Sequence, residues 1–209
     1  MPTPDPSETA RKKGVGRGFR DRVENPSRPL FCGRKIWTIG HSTRSADEFL
    51  QLLRANGIDG LADVRTIPRS RRHPHFGRDL LEARLKEEGI VYRHFAALGG
   101  LRKPRANSTN GAWRNQAFRG YADHMMTPEF NDAVDELLEL GRHRNVAVMC
   151  AEALWWQCHR MLLSDALVAR DVEVRHIMSQ RGGSALQPHR LTPFAQIRED
   201  GQVWYPGLV

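Results

Sequence analysis

Short apolar runs recur along this chain, separated by stretches with helical periodicity, and that alternation limits the available folds more than any other feature. The runs are IWTIG (36–40), a stretch near 60–64 within IDGLADV, IVYRHF (90–95), NVAVMC (145–150) and VEVRHI (172–177). Each is strand-length and largely apolar, as expected of strands buried on both faces of a parallel sheet. Between the first two, Ser45 and Glu48 have the spacing of a capping box. Phe49, Leu52 and Leu53 follow at helical spacing, and Gly57 supplies a stop. RDLLEARLKEEG (78–89) repeats the helix-then-glycine pattern. Thr127-Pro128-Glu129 opens a further helix with Phe130, Val134, Leu137 and Leu138 inward, and QCHRMLLSDALVAR (157–170) gives another. The pattern predicts a single α/β domain over 35–209, with a mainly parallel sheet of about five strands flanked by helices. Its core spans 36–177, and a C-terminal extension covers 178–209.

Two segments break the rhythm. Residues 66–77 (TIPRSRRHPHFG) and 96–120 (AALGGLRKPRANSTNGAWRNQAFRG) are rich in Pro, Gly and Arg and read as long loops. Loops of that length in a compact domain are usually functional or mobile. No acidic side chain occurs between Gly89 and Ala122, whereas Arg93, Arg102, Lys103, Arg105, Arg114 and Arg119 do. Arginine forks bind phosphate in a bidentate manner, so a phosphate-bearing ligand suits both loops. Several phosphate contacts would suit nucleic acid.

Ligands of open parallel sheets bind beyond the carboxyl ends of the strands. His41 and Ser42 follow the first run, Asp63 and Arg65 the second, and Cys150 and Glu152 the fourth. Cys158, His159 and Arg160 stand near the start of the next helix, where free N–H groups favour anions. Glu152, Asp63, His41 and Cys150 are the candidate catalytic groups. Taken singly, each has a plain structural role open to it: Asp63 as a loop cap or a partner of Arg65, His41 as a satisfied buried imidazole, Cys150 as a small hydrophobe. The convergence carries more weight than any member. Cys150, Cys158 and His159 are also soft metal ligands. Seven residues separate the cysteines, however, outside the short spacing of structural zinc sites, and adjacent Cys158 and His159 would diverge on a helix. No metal and no cofactor are expected.

Composition bounds the setting. No apolar run approaches the ~20 residues of a membrane span, and the first thirty residues lack the apolar stretch of a secretory signal. Three cysteines, Cys32, Cys150 and Cys158, do not suggest a disulfide framework. A cytoplasmic protein with no membrane partner is expected. Residues 1–35 hold nine Lys/Arg against four Asp/Glu, leaving only +3 of the formal +8 to the remainder. Residues 1–34 are expected to be a disordered, solubilising tail.

The succession TIGHS (38–42), DVRTIPRS (63–70), Phe76, Tyr92-x-His94, LGG (98–100), FRGYADHM (118–125), MCAE with CHR (149–160) and HI (176–177) resembles the domain of unknown function 488 family. The resemblance implies a Rossmann-like α/β fold. It singles out His41, Ser42, Asp63, Arg65, Ser70, Arg119, Tyr121, Cys150, Glu152, Cys158, His159 and Arg160. ALWWQ (153–157) stands where family members often carry a proline-containing turn. The expected function is an enzyme, a hydrolase or transferase, acting on nucleotide or nucleic acid. Ser42, Arg65, Ser70, Arg119, Tyr121, Cys158, His159 and Arg160 would bind the substrate. The alternatives are a non-catalytic nucleic-acid-binding module and a metal-stabilised domain built on Cys150, Cys158 and His159.

Overall fold

The computed structural model describes residues 34–180 and 183–207. The expected disordered tail, apart from Arg34, lies outside these residues, as does Cys32. Six strands form one sheet in the order β3-β2-β4-β1-β5-β6: β1 Lys35–Gly40, β2 Gly60–Asp63, β3 Val91–His94, β4 Val146–Cys150, β5 Glu173–Gln180 and β6 Gly183–Pro188. The first five are parallel and β6 runs antiparallel to β5. Helices α1 (Ala46–Ala55), α2 (Arg78–Glu87), α3 (Gln116–Met125), α4 (Pro128–His143) and α5 (Arg160–Val168) flank it, and β7 (Gln196–Ile197) pairs with β8 (Val203–Trp204). This is the expected α/β domain with a mainly parallel, Rossmann-like sheet.

The pleat divides the core. Val146, Val148 and Cys150 of β4 face α3, α4 and α5, while Ala147 and Met149 face α1 and α2. Ser45 and Glu48 make both halves of the predicted capping box, and Thr127 caps α4 with Pro128 in its first turn.

Two elements exceed the sequence reading. β5 continues to Gln180 and β6 adds an edge strand inside the supposed extension. Leu186 of β6 is exposed, so the strand lacks the apolar run that marks a central one. Helix α3 lies partly within the supposed loop 96–120. Gly120 masks it in the sequence but is required there, because a Cβ would stand 2.5 Å from the Arg102 carbonyl. The preceding loop is tied down by Asp123 of that helix. Its carboxylate accepts from Arg105 N (2.8 Å), Ser108 Oγ (2.6 Å) and Asn110 Nδ2 (2.8 Å).

Asp123 is buried, so its removal strands three donors. At about 1–3 kcal/mol for each unsatisfied buried group, D123A should lose about 3 kcal/mol in denaturant unfolding. Amides of residues 100–110 should exchange faster than those of the sheet.

Candidate functional site

Helices α1 and α2 leave β1 and β2 toward one face, and α5 leaves β4 toward the other. The strand ends therefore part around β4, the kind of opening in which open α/β sheets hold ligands. At this point Cys150 closes β4, and its sulfur lies 2.9 Å from that of Cys158. Both are nearly buried. Cys158 Sγ is also 3.4 Å from His159 Nδ1, and His159 Nε2 is 3.2 Å from the Val64 carbonyl. Cys158 and His159 were expected to diverge on a helix. They do not, because α5 begins only at Arg160 and both residues precede it.

The pair is asymmetric. The hydrogen bond from Cys150 holds the Cys158 thiol well below its ordinary pKa against the opposing effect of burial, helped by His159 and Arg160. Burial pushes Cys150 well up, and its bond to Cys158 acts in the same direction. Of the two thiols, Cys158 is thus the more readily ionised.

Arg160 is 2% exposed. Its Nη2 donates to the Glu152 carbonyl (2.5 Å) and the Ala153 carbonyl (3.4 Å), and its Nη1 to Thr38 Oγ1 (3.4 Å). Its Nε has no hydrogen-bond partner. Burial acts to lower its pKa, but Cys150 and Cys158 beside it outweigh this and raise it. The loop carbonyls reach Arg160 because residue 40 is glycine; a Cβ there would fall 1.8 Å from the Glu152 oxygen. Beyond β1, His41 N and Ser42 N donate to the Cys150 and Ala151 carbonyls at 2.9 Å. Ser42 holds φ +48°, a left-handed conformation that costs roughly 1–2 kcal/mol for a residue with a Cβ.

Behind Arg160 runs a buried chain of hydrogen bonds. Thr38 Oγ1 is 2.7 Å from His176 Nδ1, His176 Nε2 is 3.0 Å from His189 Nδ1, and His189 Nε2 is 2.8 Å from Asp165 Oδ1. One proton placement satisfies every link: Arg160 donates to Thr38, Thr38 to His176, His176 to His189, and His189 to the carboxylate. Asp165 also accepts from Thr192 N and Tyr205 Oη. Trp155, from the ALWWQ segment, stacks on His176 at 4.0 Å and 6°. Sequence reasoning missed Asp165 and His189 as site-related residues, and it noted Thr38 and His176 only within the family motifs. No spacing links residues so far apart in the chain.

A second group forms beside the first. Arg65 donates to both Asp63 carboxylate oxygens and to the Phe76 carbonyl, and its Nη1 lies 3.5 Å from His41 Nε2. Tyr92 Oη donates to Asp63 (2.8 Å). His41 stacks on Phe76 at 4.3 Å. Burial pushes its pKa down to about 4. The remaining predicted residues are placed differently. Glu152 is exposed and contributes its carbonyl to Arg160. Ser70 Oγ accepts from His73 N, Arg119 Nε donates to the Trp113 carbonyl, and buried Tyr121 donates to the Leu98 carbonyl.

A cavity of about 540 Å³ opens at the ends of β2 and β3 and is lined by Thr66, Arg69, Gly77, Arg78 and His94 among others. It includes the start of α2, whose first turn has no side-chain cap. Residues 64–66 link it to the thiol pair: Val64 meets His159, and Thr66 lines the cavity. Among the described residues, no three His, Cys, Asp or Glu side chains are grouped so as to hold a metal ion, and no helix is long and apolar enough to cross a membrane.

The model of the family described as Domain of unknown function DUF488 matches residues 45–167, more than half of the chain, and the chain belongs to that family. Comparison with curated proteins and with solved structures returns no match.

The buried imidazoles fix a pH response. Burial, reinforced by His189 and Arg160, pushes His176 down from 6.5 to about 2. As pH falls through 6.5 the unfolded chain takes up a proton that the native His176 refuses, and His41 behaves likewise down to about 4. Stability from both is therefore full above pH 6.5 and declines on acidification, most steeply between 6.5 and 4. Thermal melting across that range should show H176N less stable than wild type in neutral buffer but with a shallower slope. Equal slopes would contradict this.

Proposed function

We propose that this DUF488 chain is an enzyme acting on a phosphate-bearing substrate, a nucleotide or nucleic acid, with Cys158 as its nucleophile. The observation that carries the reading is the Cys158 sulfur held between Cys150, 2.9 Å away, and His159, 3.4 Å away, at the end of the central strand. The reacting form of cysteine is the thiolate, and it is favoured by adjacent positive charge. A phosphate-binding module alone needs no such group.

In this reading Arg160 supports the thiolate and holds the loop, since its Nη groups already serve carbonyls and Thr38. Phosphate is bound in the neighbouring cavity, where Arg69 and Arg78 meet the uncapped start of α2. The sulfur of Cys158 displaces a leaving group from the substrate, and His159 is placed to deliver a proton to it. Asp63 orients Arg65 beside His41 and the cavity wall. Exposed Arg69 and Arg78 line the cavity and exposed Arg71 and Arg72 follow Arg69 closely in the chain, which favours a ligand with more than one phosphate.

Calorimetric titration with nucleotides and short oligonucleotides tests the cavity. Charge-assisted hydrogen bonds contribute about 1.5–3 kcal/mol each, so R69A and R78A should each weaken binding roughly tenfold or more. C158S should bind normally and lose turnover, along with the rapid alkylation of that site by iodoacetamide in mildly acidic buffer. Unchanged affinity in both arginine variants would remove the phosphate reading. Alkylation no faster than for an ordinary thiol would remove the nucleophile.

A further inference from the structure

We propose that Cys150 and Cys158 are a peroxide-reactive dithiol, oxidised to a reversible intramolecular disulfide by hydrogen peroxide or a small organic hydroperoxide. The inference shares the Cys158 nucleophile with the reading above but needs neither the cavity nor a phosphate. A disulfide bond is about 2.05 Å long, and the sulfurs stand 2.9 Å apart, so a closure of under one ångström joins them. Cys150 ends β4 and Cys158 lies on the loop just before α5, so movement of that loop can form the bond without rearranging the sheet.

The two sulfurs are prepared for different steps. Cys158 carries the negative charge, which its contacts with Cys150, His159 and the field of Arg160 favour. Cys150 retains its proton beside it. A thiolate next to a resolving thiol is the arrangement of redox-reactive cysteines. Burial selects the oxidant. Cys150 is 3% and Cys158 5% exposed, and the backbone of Gly100 covers His159 so closely that a Cβ would stand 2.4 Å from its Nδ1. A peroxide is small enough to reach the sulfurs with a small displacement of that loop. Arg160 stands beside both cysteines, and its Nε, buried and without a partner, is a donor free to serve the oxygen that departs.

The chemistry balances. The Cys158 thiolate attacks one peroxide oxygen and breaks the O–O bond. The departing alkoxide or hydroxide takes a proton from solvent, leaving Cys158 as a sulfenic acid. Cys150 then attacks that sulfur, gives up its proton and expels hydroxide, which leaves as water. The two thiols lose two electrons and the peroxide gains them. A dithiol reductant reverses the reaction.

Peptide mapping by mass spectrometry of the full-length C32S chain, treated with stoichiometric hydrogen peroxide and then blocked with a thiol reagent, tests the proposal without substrate. The expected product links the Cys150 and Cys158 peptides, with both free thiols lost together and both recovered on reduction. C150S, checked for folding by circular dichroism, should stop at a sulfenic acid on Cys158 that a dimedone reagent traps. Retention of both thiols, or oxidation of Cys158 beyond the sulfenic state with no cross-link in the C32S chain, would overturn it. Because that chain still contains both cysteines, the result stands even if C150S misfolds. Loss of nucleotide binding in R69A and R78A bears only on the substrate reading.

Discussion

The buried guanidinium of Arg160 is the constraint on which the candidate site depends. Taking a charge of this kind out of water costs several kcal/mol unless it is paired and hydrogen-bonded. Among the described residues, no carboxylate is in direct contact with the guanidinium. Instead the cation meets two loop carbonyls, the Thr38 hydroxyl and the field of a cysteine pair. The charge of Arg160 favours ionisation of Cys158, and a thiolate there would make the buried cation tolerable. Gly40, the left-handed Ser42 and the loop 151–159 are arranged so that those carbonyls reach the guanidinium.

This arrangement ties the sheet to the chemistry. Because β4 sends its helix to the face opposite α1 and α2, its carboxyl end is where the layers part and where a reactive group can be presented. The relay from Thr38 through His176 and His189 to Asp165 fixes the orientation of Arg160 from behind. It also binds the C-terminal segment to the sheet, since Thr192 and Tyr205 donate to the same carboxylate. Fold stability and site geometry thus share one buried polar network, and such networks are strong only when every member is satisfied.

Much of this was legible in the sequence. Unbroken apolar runs gave the parallel strands, and Ser45 with Glu48, and Thr127 with Pro128, gave two helix starts, because these signals are local. Inspection of strand ends assembled Cys150, Cys158, His159 and Arg160. The internal arrangement of that list was not legible, since it turns on where α5 begins: one residue decides whether Cys158 and His159 diverge or meet. Helix α3 was hidden by Gly120, whose presence answers a tertiary contact with Arg102 rather than a local preference. Asp165 and His189 carry no motif, and only the folded chain brings them to Thr38. Glu152 looked chemical from its position, yet it is the backbone of that residue that Arg160 uses.

The central claim is that Cys158 ionises readily because Cys150 hydrogen-bonds it, with His159 and the charge of Arg160 in support. Ultraviolet absorbance of the thiolate, followed as pH is lowered in the full-length C32S chain, measures this directly. Wild-type Cys158 should keep its absorbance well below the pH at which an ordinary cysteine is protonated. The signal should vanish in C158S and persist in R160K only at higher pH. A chain that absorbs no more at neutral pH than an ordinary thiol, or whose absorbance is unchanged in R160K, would contradict the account.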